Sequence, residues 1–424
     1  MEAGHEREVI YQARDWLKFG CLNVRGWGVG KMEDLGRELN EWKFDLVGVT
    51  ETHLREDMMV DGNEYVMIGK GRKKQEKLGG GVAFLHRKES NLKVEELDLG
   101  SSAMSEDILA LRVEYAGEHN KHESLVVAVV YMTVEGDRAA RENGMKYDVL
   151  RRFMRKYAGE KVMIMGDMNA HSGILGERMN RNGEMLAEFI DEMNLENLNQ
   201  TLADGRVTWS ARNQESAIDY VLVNGKMRES VARMWIDEDG VIDVVSDHNM
   251  LVVECMVGRK SEVKVKEKKR KWRLRDANWE NFQLCLSEKM WNIESVQDVD
   301  ELNEKLIENV RSAGVSEIGY VRMSGKKRKN KPWWNEEIKE ARRLRKNLNR
   351  ECRRLKKRRH ESEEAEVEYQ SAWAAYVRQQ RLTKRKIRDA KVKCGKSTIQ
   401  SLKEKGLKGG HEWYRFMRGE SITE

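Results

Sequence analysis

Eight polar side chains lie at or near the ends of short apolar runs, where strands would hold them in place and leave them open to a substrate. Asp167 and Asn169 follow "VMIMG", Glu51 follows "LVGVT" and Tyr131 closes "VVAVV". The remaining four are Asn23, Asp219, Asp247 and His248. An ionised carboxylate within an apolar strand, such as Asp219 in "AIDYVLV", is costly unless it is paired or binds a metal. The pattern therefore indicates a polar site.

Metal-assisted hydrolysis of a phosphodiester requires residues of these types. One carboxylate must hold Mg²⁺, a hard cation that prefers oxygen ligands, and Glu51 is the candidate. A second carboxylate must orient and deprotonate a water in line with the scissile bond, which is the role expected of Asp167. An amide such as Asn169 or Asn23 could position that water or a ligand without adding charge that repels phosphate.

An imidazole completes this set. His248 hydrogen-bonded to Asp219 would be held in one orientation with its protonated form favoured, so that it could donate to a phosphoryl oxygen in the transition state. Tyr131 could donate to the same group, although a tyrosine that closes a buried strand is more often part of the core. Asn23 could equally cap a loop, and His171 is expected to be a loop residue outside the chemistry.

The elements that must position these residues form an α/β pattern over residues 17–257. Short runs rich in Val, Ile and Leu predict strands, and the segments 31–43, 141–157 and 183–194 carry apolar residues at helical spacing. Several predicted strands are too apolar to have a solvated face, so helices should cover them. A layered α/β domain of about 240 residues is expected.

The charge distribution separates this domain from the rest of the chain. Residues 1–258 carry 33 Lys and Arg against 46 Asp and Glu, whereas residues 259–424 carry 45 against 26. Residues 258–275 are expected to be a charged linker, and residues 276–424 a basic helical region with two long helices folded back near residues 360–362. The basic surface favours a polyanionic partner, most simply nucleic acid.

Other bulk features limit the protein class. The five cysteines are widely spaced and form no CxxC pair, which fits a reducing compartment. The first residues break each apolar run with a charge, and no stretch approaches the roughly 20 apolar residues of a membrane helix. An intracellular protein without a membrane partner is expected.

Six motifs, "CLNVRG", "VGVTETHL", "VVYMT", "IMGDMNAHSG", "ESAIDYVLV" and "VVSDHNML", occur in an order that resembles the endonuclease/exonuclease/phosphatase superfamily. The similarity is greatest to endonuclease domains of non-LTR (LINE-type) retrotransposons, with apurinic/apyrimidinic endonucleases also similar. It implies a DNase I-like two-sheet sandwich in four layers over residues 17–257, followed by a basic helical tail resembling the segment before a reverse transcriptase. No paired-aspartate motif of a polymerase occurs.

The resemblance also implies a role for each site residue. Asn23, Glu51 and Asp247 would lie at the metal, which would be Mg²⁺ with Mn²⁺ as the alternative cation. The catalytic set would be Tyr131, Asp167, Asn169, Asp219 and His248. The expected activity is nicking of DNA in the nucleus, with DNA or RNA held by the tail.

Two alternatives remain open at this stage. The same fold could act on an abasic site or a phosphomonoester, but Arg25 replaces a second acidic residue of repair enzymes and "MTVE" follows Tyr131 where they carry an Asn. The chain could also be a catalytically inert nucleic-acid or chromatin-binding protein. The complete set of acidic, amide and imidazole positions favours chemistry over that alternative.

Overall fold

The computed structural model divides the chain into two units. One comprises residues 14–259 with 330–424, and the other comprises residues 1–13 with 260–329. The residues that the structure describes are 16–28, 30–72, 79–90, 92–100, 106–116, 122–136, 139–211, 214–256, 277–290, 298–318 and 332–404. The predicted linker over residues 258–275 lies outside these ranges, and the domain boundaries expected from the sequence stay a prediction.

Fifteen strands occur in the described residues of the first unit. They are β1 Trp16–Asn23, β2 Leu46–Thr50, β3 Met58–Asp61, β4 Tyr65–Lys70, β5 Val82–Arg87, β6 Lys93–Glu96, β7 Ile108–Ala116, β8 His122–Tyr131, β9 Lys161–Asp167, β10 Leu195–Asn197, β11 Trp209–Ala211, β12 Gln214–Ser216, β13 Asp219–Asn224, β14 Val231–Ile236 and β15 Leu251–Met256.

Seven helices accompany these strands in the first unit, and two more form the described part of the second unit. Those of the first unit are α1 Lys31–Glu41, α2 Ala139–Lys156, α3 Arg181–Met193, α4 Leu198–Leu202, α5 Gly225–Arg228, α8 Glu336–Arg358 and α9 Glu363–Glu404. Those of the second unit are α6 Trp279–Met290 and α7 Val299–Glu317, which pack against each other.

Most strands form two mixed sheets. The first has the order β14-β15-β1-β2-β5-β4-β3 and the second the order β10-β13-β9-β8-β7-β6. Only β1 with β2 and β8 with β9 are parallel within these sheets, and the other pairs are antiparallel. The central core lies between the sheets, where Phe19 and Leu46 of the first contribute to one apolar cluster with Val127 and Met165 of the second.

Helices cover the outer faces of both sheets. Leu35 and Leu39 of α1 pack on the outer side of the first sheet, and Tyr147 of α2 and Phe189 of α3 pack on the second. Helix α3 begins where the Asn180 side chain accepts a hydrogen bond from the Gly183 N–H, as a helix start requires. The predicted fold, a four-layer α/β sandwich of two sheets covered by helices, is therefore confirmed.

The predicted pair of long helices is present as α8 and α9, which turn back on each other at residues 359–362. Cys352 and Leu355 of α8 form a small apolar core with Tyr369 and Tyr376 of α9. The predicted basic tail is therefore helical within the described residues. The pair α8 and α9 is called the hairpin below.

Candidate active site

The ends of two central strands, one from each sheet, meet through a hydrogen bond. Strand β1 ends at Asn23 and strand β9 ends at Asp167, and the Asn23 Nδ2 group donates to Asp167 Oδ2 over 2.8 Å. Both side chains are essentially inaccessible to solvent. The two sheets therefore fix the Asp167 carboxylate from both sides of the core, as expected for residues that a scaffold must hold precisely in place.

A second carboxylate faces Asp167 across the ladder. Asp219 begins β13 directly opposite Asp167, and its Oδ2 atom lies 2.8 Å from Nδ1 of His248. The backbone at Asp219 is held by Thr208, whose hydroxyl accepts hydrogen bonds from the N–H groups of Ile218 and Asp219. The predicted partnership of Asp219 with His248 is thus present in the structure.

The surroundings of Asp167 and His248 raise the pKa values of both groups. Burial, reinforced by the charge of Asp219, raises the pKa of Asp167 to about 7. Burial lowers the pKa of His248, but the charge and hydrogen bond of Asp219 outweigh it and raise that pKa to about 9. The site therefore pairs a carboxylate that can take up a proton near neutral pH with an imidazole that is protonated there.

Tyr131 and Asn169 lie beside Asp167 but differ in their hydrogen bonding. Tyr131 is the direct neighbour of Asp167 in the parallel ladder of β8 and β9. Burial, with the charges of Glu51 and Asp167, raises the pKa of Tyr131, so its hydroxyl remains a donor. The Asn169 amide instead donates to the carbonyl of Met132 over 2.8 Å, and its backbone N–H donates to Asp167. Within the described residues, Asn169 thus holds the loop and the carboxylate in place.

Glu51 has the surroundings expected of a metal ligand. Its side chain is about four-fifths buried, yet within the described part of the chain its carboxylate accepts no hydrogen bond. The nearest basic group there is His53, whose Nε2 atom is 3.8 Å away. Oδ1 of Asp219 and Oδ1 of Asp247 are also buried without a hydrogen-bond partner. Such oxygens match a hard divalent cation, whose charge would offset the cost of burying them.

One cluster of possible metal ligands includes an imidazole that is already hydrogen-bonded to a carboxylate. Ligand atoms of Asp167, Asp219 and His248 all lie within 4.8 Å of one another. The Nδ1 atom of His248 is committed to Asp219, and a protonated imidazole cannot coordinate a cation through its nitrogens. The carboxylate oxygens of Glu51 and Oδ1 of Asp247, in contrast, have no hydrogen-bond partner in the described residues.

Two residues that the sequence analysis left without a role contact Asp247. Arg25 donates to Asp247 Oδ2 over 2.6 Å, and the indole N–H of Trp209 donates to the same atom over 3.1 Å. Only Oδ1 of Asp247 is left for a ligand. Arg25 was noted in the sequence as a departure from repair enzymes, but no local pattern pairs it with a residue 222 positions away.

The backbone around the site is strained at several positions. Positive φ angles, which are uncommon outside glycine, occur at Arg25, Glu51, His53, Asn169 and Val245. Val245 is the least expected of these, since it is β-branched and its φ is 54°. Backbone strain of this kind persists where the surrounding structure enforces it, and it is concentrated at functional sites.

The glycine before Asp167 is required by a close approach of two strands. A side chain on Gly166 would collide with the backbone carbonyl of Val130 on the neighbouring strand β8. The "IMGD" motif therefore combines a strand, a backbone contact that only glycine allows and the carboxylate that follows it. His171, further along the same loop, contributes backbone contacts to Asn180 and is not part of the cluster.

One protein-family model matches the middle of the chain. Residues 125–252 match the family model described as "Endonuclease-reverse transcriptase". The matched segment contains Tyr131, Asp167, Asp219 and His248, and the predicted resemblance to the endonuclease/exonuclease/phosphatase superfamily is confirmed. No curated protein gives a significant match to the sequence.

Three solved structures show a similar fold. The endonuclease domain of TRAS1, a telomere-specific non-LTR retrotransposon, is 18% identical with a TM-score of 0.45, covering 57% of this chain and 99% of that domain. The catalytic domain of Xenopus laevis APE2 is 14% identical with a TM-score of 0.46, covering 58% and 94%. The AP endonuclease LMAP from Leishmania major is 15% identical with a TM-score of 0.46, covering 59% and 92%.

Proposed function

We propose that this protein is a Mg²⁺-dependent DNA endonuclease that nicks phosphodiester bonds and derives from a non-LTR retrotransposon. The observation that carries the proposal is the linked set Asn23, Asp167, Asp219 and His248, in which a buried carboxylate with a pKa of about 7 lies close to a buried imidazole with a pKa of about 9. The nucleic-acid substrate is further supported by the basic hairpin.

The residues divide the chemistry between them. Asp167, held by Asn23 and by the Asn169 N–H, accepts a proton from the attacking water. Protonated His248, held by Asp219, donates to a phosphoryl oxygen as negative charge develops there. The Tyr131 hydroxyl is a second donor, and Asn169 fixes the loop that carries Asp167.

The cation would be held by Glu51 with the free oxygen of Asp247, near Asn23 at the end of β1. Mg²⁺ bound there would polarise the phosphoryl oxygen and neutralise charge on the leaving group, and Mn²⁺ would serve the same purpose. Because Arg25 occupies the other oxygen of Asp247, this carboxylate contributes at most one ligand atom beside Glu51.

Because the proposed substrate is DNA, we also propose that the protein is located in the nucleus. None of the helices within the described residues is both long and apolar enough to cross a membrane. Immunofluorescence of the full-length chain would test the nuclear location directly, and exclusion from the nucleus would contradict it.

The decisive experiment is nicking of supercoiled plasmid DNA in Mg²⁺. Asp167→Asn should lower the rate by about 10²- to 10⁴-fold, the usual contribution of a general base. Asp191→Asn, an exposed aspartate on α3, makes the same chemical change and should leave the rate unaltered. An inactive wild type, or an Asp167→Asn variant as fast as wild type, would contradict the proposal.

A second comparison separates this function from that of a repair enzyme. Intact AT-rich duplex and a duplex with one abasic site are incubated with the same enzyme. We expect cleavage of intact DNA at a rate at least equal to that of the abasic duplex. Cleavage confined to the abasic duplex would assign the site to repair chemistry, and release of phosphate from a monoester alone would assign it to a phosphatase.

A further inference from the structure

The hairpin is fixed to the nuclease fold by buried ion pairs. Arg345 of α8 is buried between Asp34 of α1 and Asp243, with nitrogen to oxygen distances of 2.7 and 2.6 Å. Arg342 also pairs with Asp34, and Lys346 pairs with Glu38. Each of these cations on α8 faces a carboxylate of the α/β domain. Because breaking a buried pair is costly, these contacts give α8 a defined position on that domain.

Helix α9 reaches the loop that follows β1. Ile387 is buried against Gly30, where any side chain would collide with it. Lys391 pairs with Glu33 of α1 over 2.7 Å. Between these contacts and the active site, the Lys384 ammonium lies 3.6 Å from the position that a first side-chain carbon on Gly28 would occupy. The hairpin therefore places a lysine beside the loop that starts at Asn23.

The same loop carries two further cations. The Arg25 side chain is 61% exposed and contacts Asp247 at the active site. Lys31 donates to the carbonyl of Val24 at the beginning of the loop. Burial lowers the pKa of Lys31 to about 8, with Lys384 and Arg25 lowering it further and Asp247 opposing them. The charge of Lys384 thus acts on Lys31 in the loop that follows Asn23, and its ammonium lies close to Gly28 of that loop.

Lys384 also belongs to an exposed stripe on α9. Arg381, Lys384 and Arg388 are three and four residues apart, which places them on one helix face. Within the part of the chain that the structure describes, Arg381 and Lys384 have no acidic partner, and Arg388 has only its exposed neighbour Asp389 at 3.7 Å. In contrast, the cations by which α8 docks are matched by carboxylates.

The spacing and composition of the stripe favour a duplex backbone. Seven residues of helix span about 10 Å, which is enough to contact more than one phosphate of a DNA strand. Surfaces for single strands usually add exposed aromatic side chains on which bases stack. No aromatic residue occurs between residues 377 and 399. The stripe therefore supplies cations for phosphates but no aromatic ring on which a base could stack.

We propose that Lys384, together with Arg381 and Arg388, binds the phosphate backbone of duplex DNA next to the bond that is cut and continues the cationic surface that begins at Arg25. The hairpin is in this view a substrate-binding part of the nuclease. The inference rests on the proposed endonuclease function for the location of the cut, but the binding itself can be measured without cleavage.

The test compares Lys384→Gln with Arg354→Gln in the full-length chain. Arg354 is an exposed arginine on α8 without an acidic partner in the described residues, so both variants lose one exposed positive charge. Fluorescence anisotropy of a labelled duplex is measured in EDTA over a range of KCl concentrations. Lys384→Gln should weaken binding about tenfold, and the slope of log K against log salt should become shallower by about 1. Arg354→Gln should bind as wild type does.

The outcomes separate this inference from the proposed function. If wild type does not nick DNA but Lys384→Gln still loses duplex affinity, the endonuclease proposal fails and the binding surface stands. If both variants bind the duplex alike, or if Lys384→Gln loses affinity only for single-stranded RNA of equal length, the inference is overturned. Thermal unfolding by circular dichroism should be unchanged in Lys384→Gln, because this side chain is exposed.

Discussion

At the scale of single residues, the site is governed by two buried carboxylates on paired strands. Asp167 and Asp219 are direct neighbours on the paired strands β9 and β13. The two carboxylates cannot be ionised at the same time unless a positive charge compensates them. His248 is hydrogen-bonded to Asp219, whereas the hydrogen bonds to Asp167 within the described residues come from the neutral Asn23 amide and the Asn169 N–H. The proposed mechanism uses this asymmetry, since it requires one carboxylate to support an acid and the other to act as a base.

The substitution Asp219→Asn tests the role proposed for Asp219 without changing the shape of its side chain. The variant keeps the size of the side chain but removes the charge that favours protonated His248. Nicking should fall by about 10³-fold or more, as when the carboxylate behind a catalytic histidine is replaced. Plasmid nicking measures the rate, and duplex binding in EDTA should stay within about twofold of wild type. A variant that binds poorly but cleaves bound DNA at the wild-type rate would show that Asp219 is not needed for the chemical step.

Glu51→Gln tests the metal site. The amide removes the negative charge while keeping one oxygen, so the Mg²⁺ concentration that gives half-maximal nicking should rise by about 10- to 100-fold. Binding of Mn²⁺, followed by the loss of its free-ion signal in electron paramagnetic resonance, should weaken in parallel. EDTA should abolish nicking by wild type, and added Mg²⁺ should restore it. Equal Mn²⁺ binding by both proteins would remove Glu51 from the site.

At the scale of secondary-structure elements, α8 carries charge into a buried interface. Arg345 is 2% exposed and contacts Asp34 and Asp243, whereas Arg343, two residues earlier, is exposed and pairs with Glu340 within the helix. The two arginines belong to the same basic run, "ARRLRK". Their contributions to stability should differ, because removing one partner of a buried pair leaves the other charge uncompensated.

We predict that Arg345→Met lowers the free energy of unfolding by about 3–5 kcal/mol. The matched change Arg343→Met should cost less than about 1 kcal/mol, because its ion pair is exposed to solvent. Urea unfolding followed by tryptophan fluorescence measures both. Equal and small effects would mean that α8 is not held by these pairs.

The elements were largely predictable from the sequence, but their long-range partners were not. Asp167 and Glu51 could be predicted as site residues because each follows an apolar run that ends in a polar group, and such a run is visible locally. The docking of Arg345 on Asp34 and the pairing of Arg25 with Asp247 join residues 311 and 222 positions apart. No periodicity encodes such pairs. A basic helical run has the same appearance in sequence whether it faces water, nucleic acid or carboxylates of its own chain.

At the scale of the whole molecule, the hairpin supplies positive charge that the first 258 residues lack. Residues 1–258 have 13 more acidic than basic residues, which on its own repels a polyanionic substrate. Some cations of residues 259–424 are used to dock α8 on carboxylates of α1. Others, such as Lys384 and Arg381 of α9, remain exposed. If the proposed function is correct, the region that docks on the α/β domain also supplies the positive charge that DNA binding requires.

A chain ending at Gly258 tests both effects at once. Without α8, the carboxylates of Asp34, Glu38 and Asp243 lose their cations, so the melting temperature should fall. Without α9, duplex affinity in EDTA should fall at least about tenfold, and its dependence on KCl should become shallower because fewer phosphates are neutralised. Circular dichroism at a temperature where the shortened chain is folded controls for unfolding. A folded shortened chain with the affinity and salt slope of the full chain would show that the acidic nuclease binds DNA without help from the hairpin.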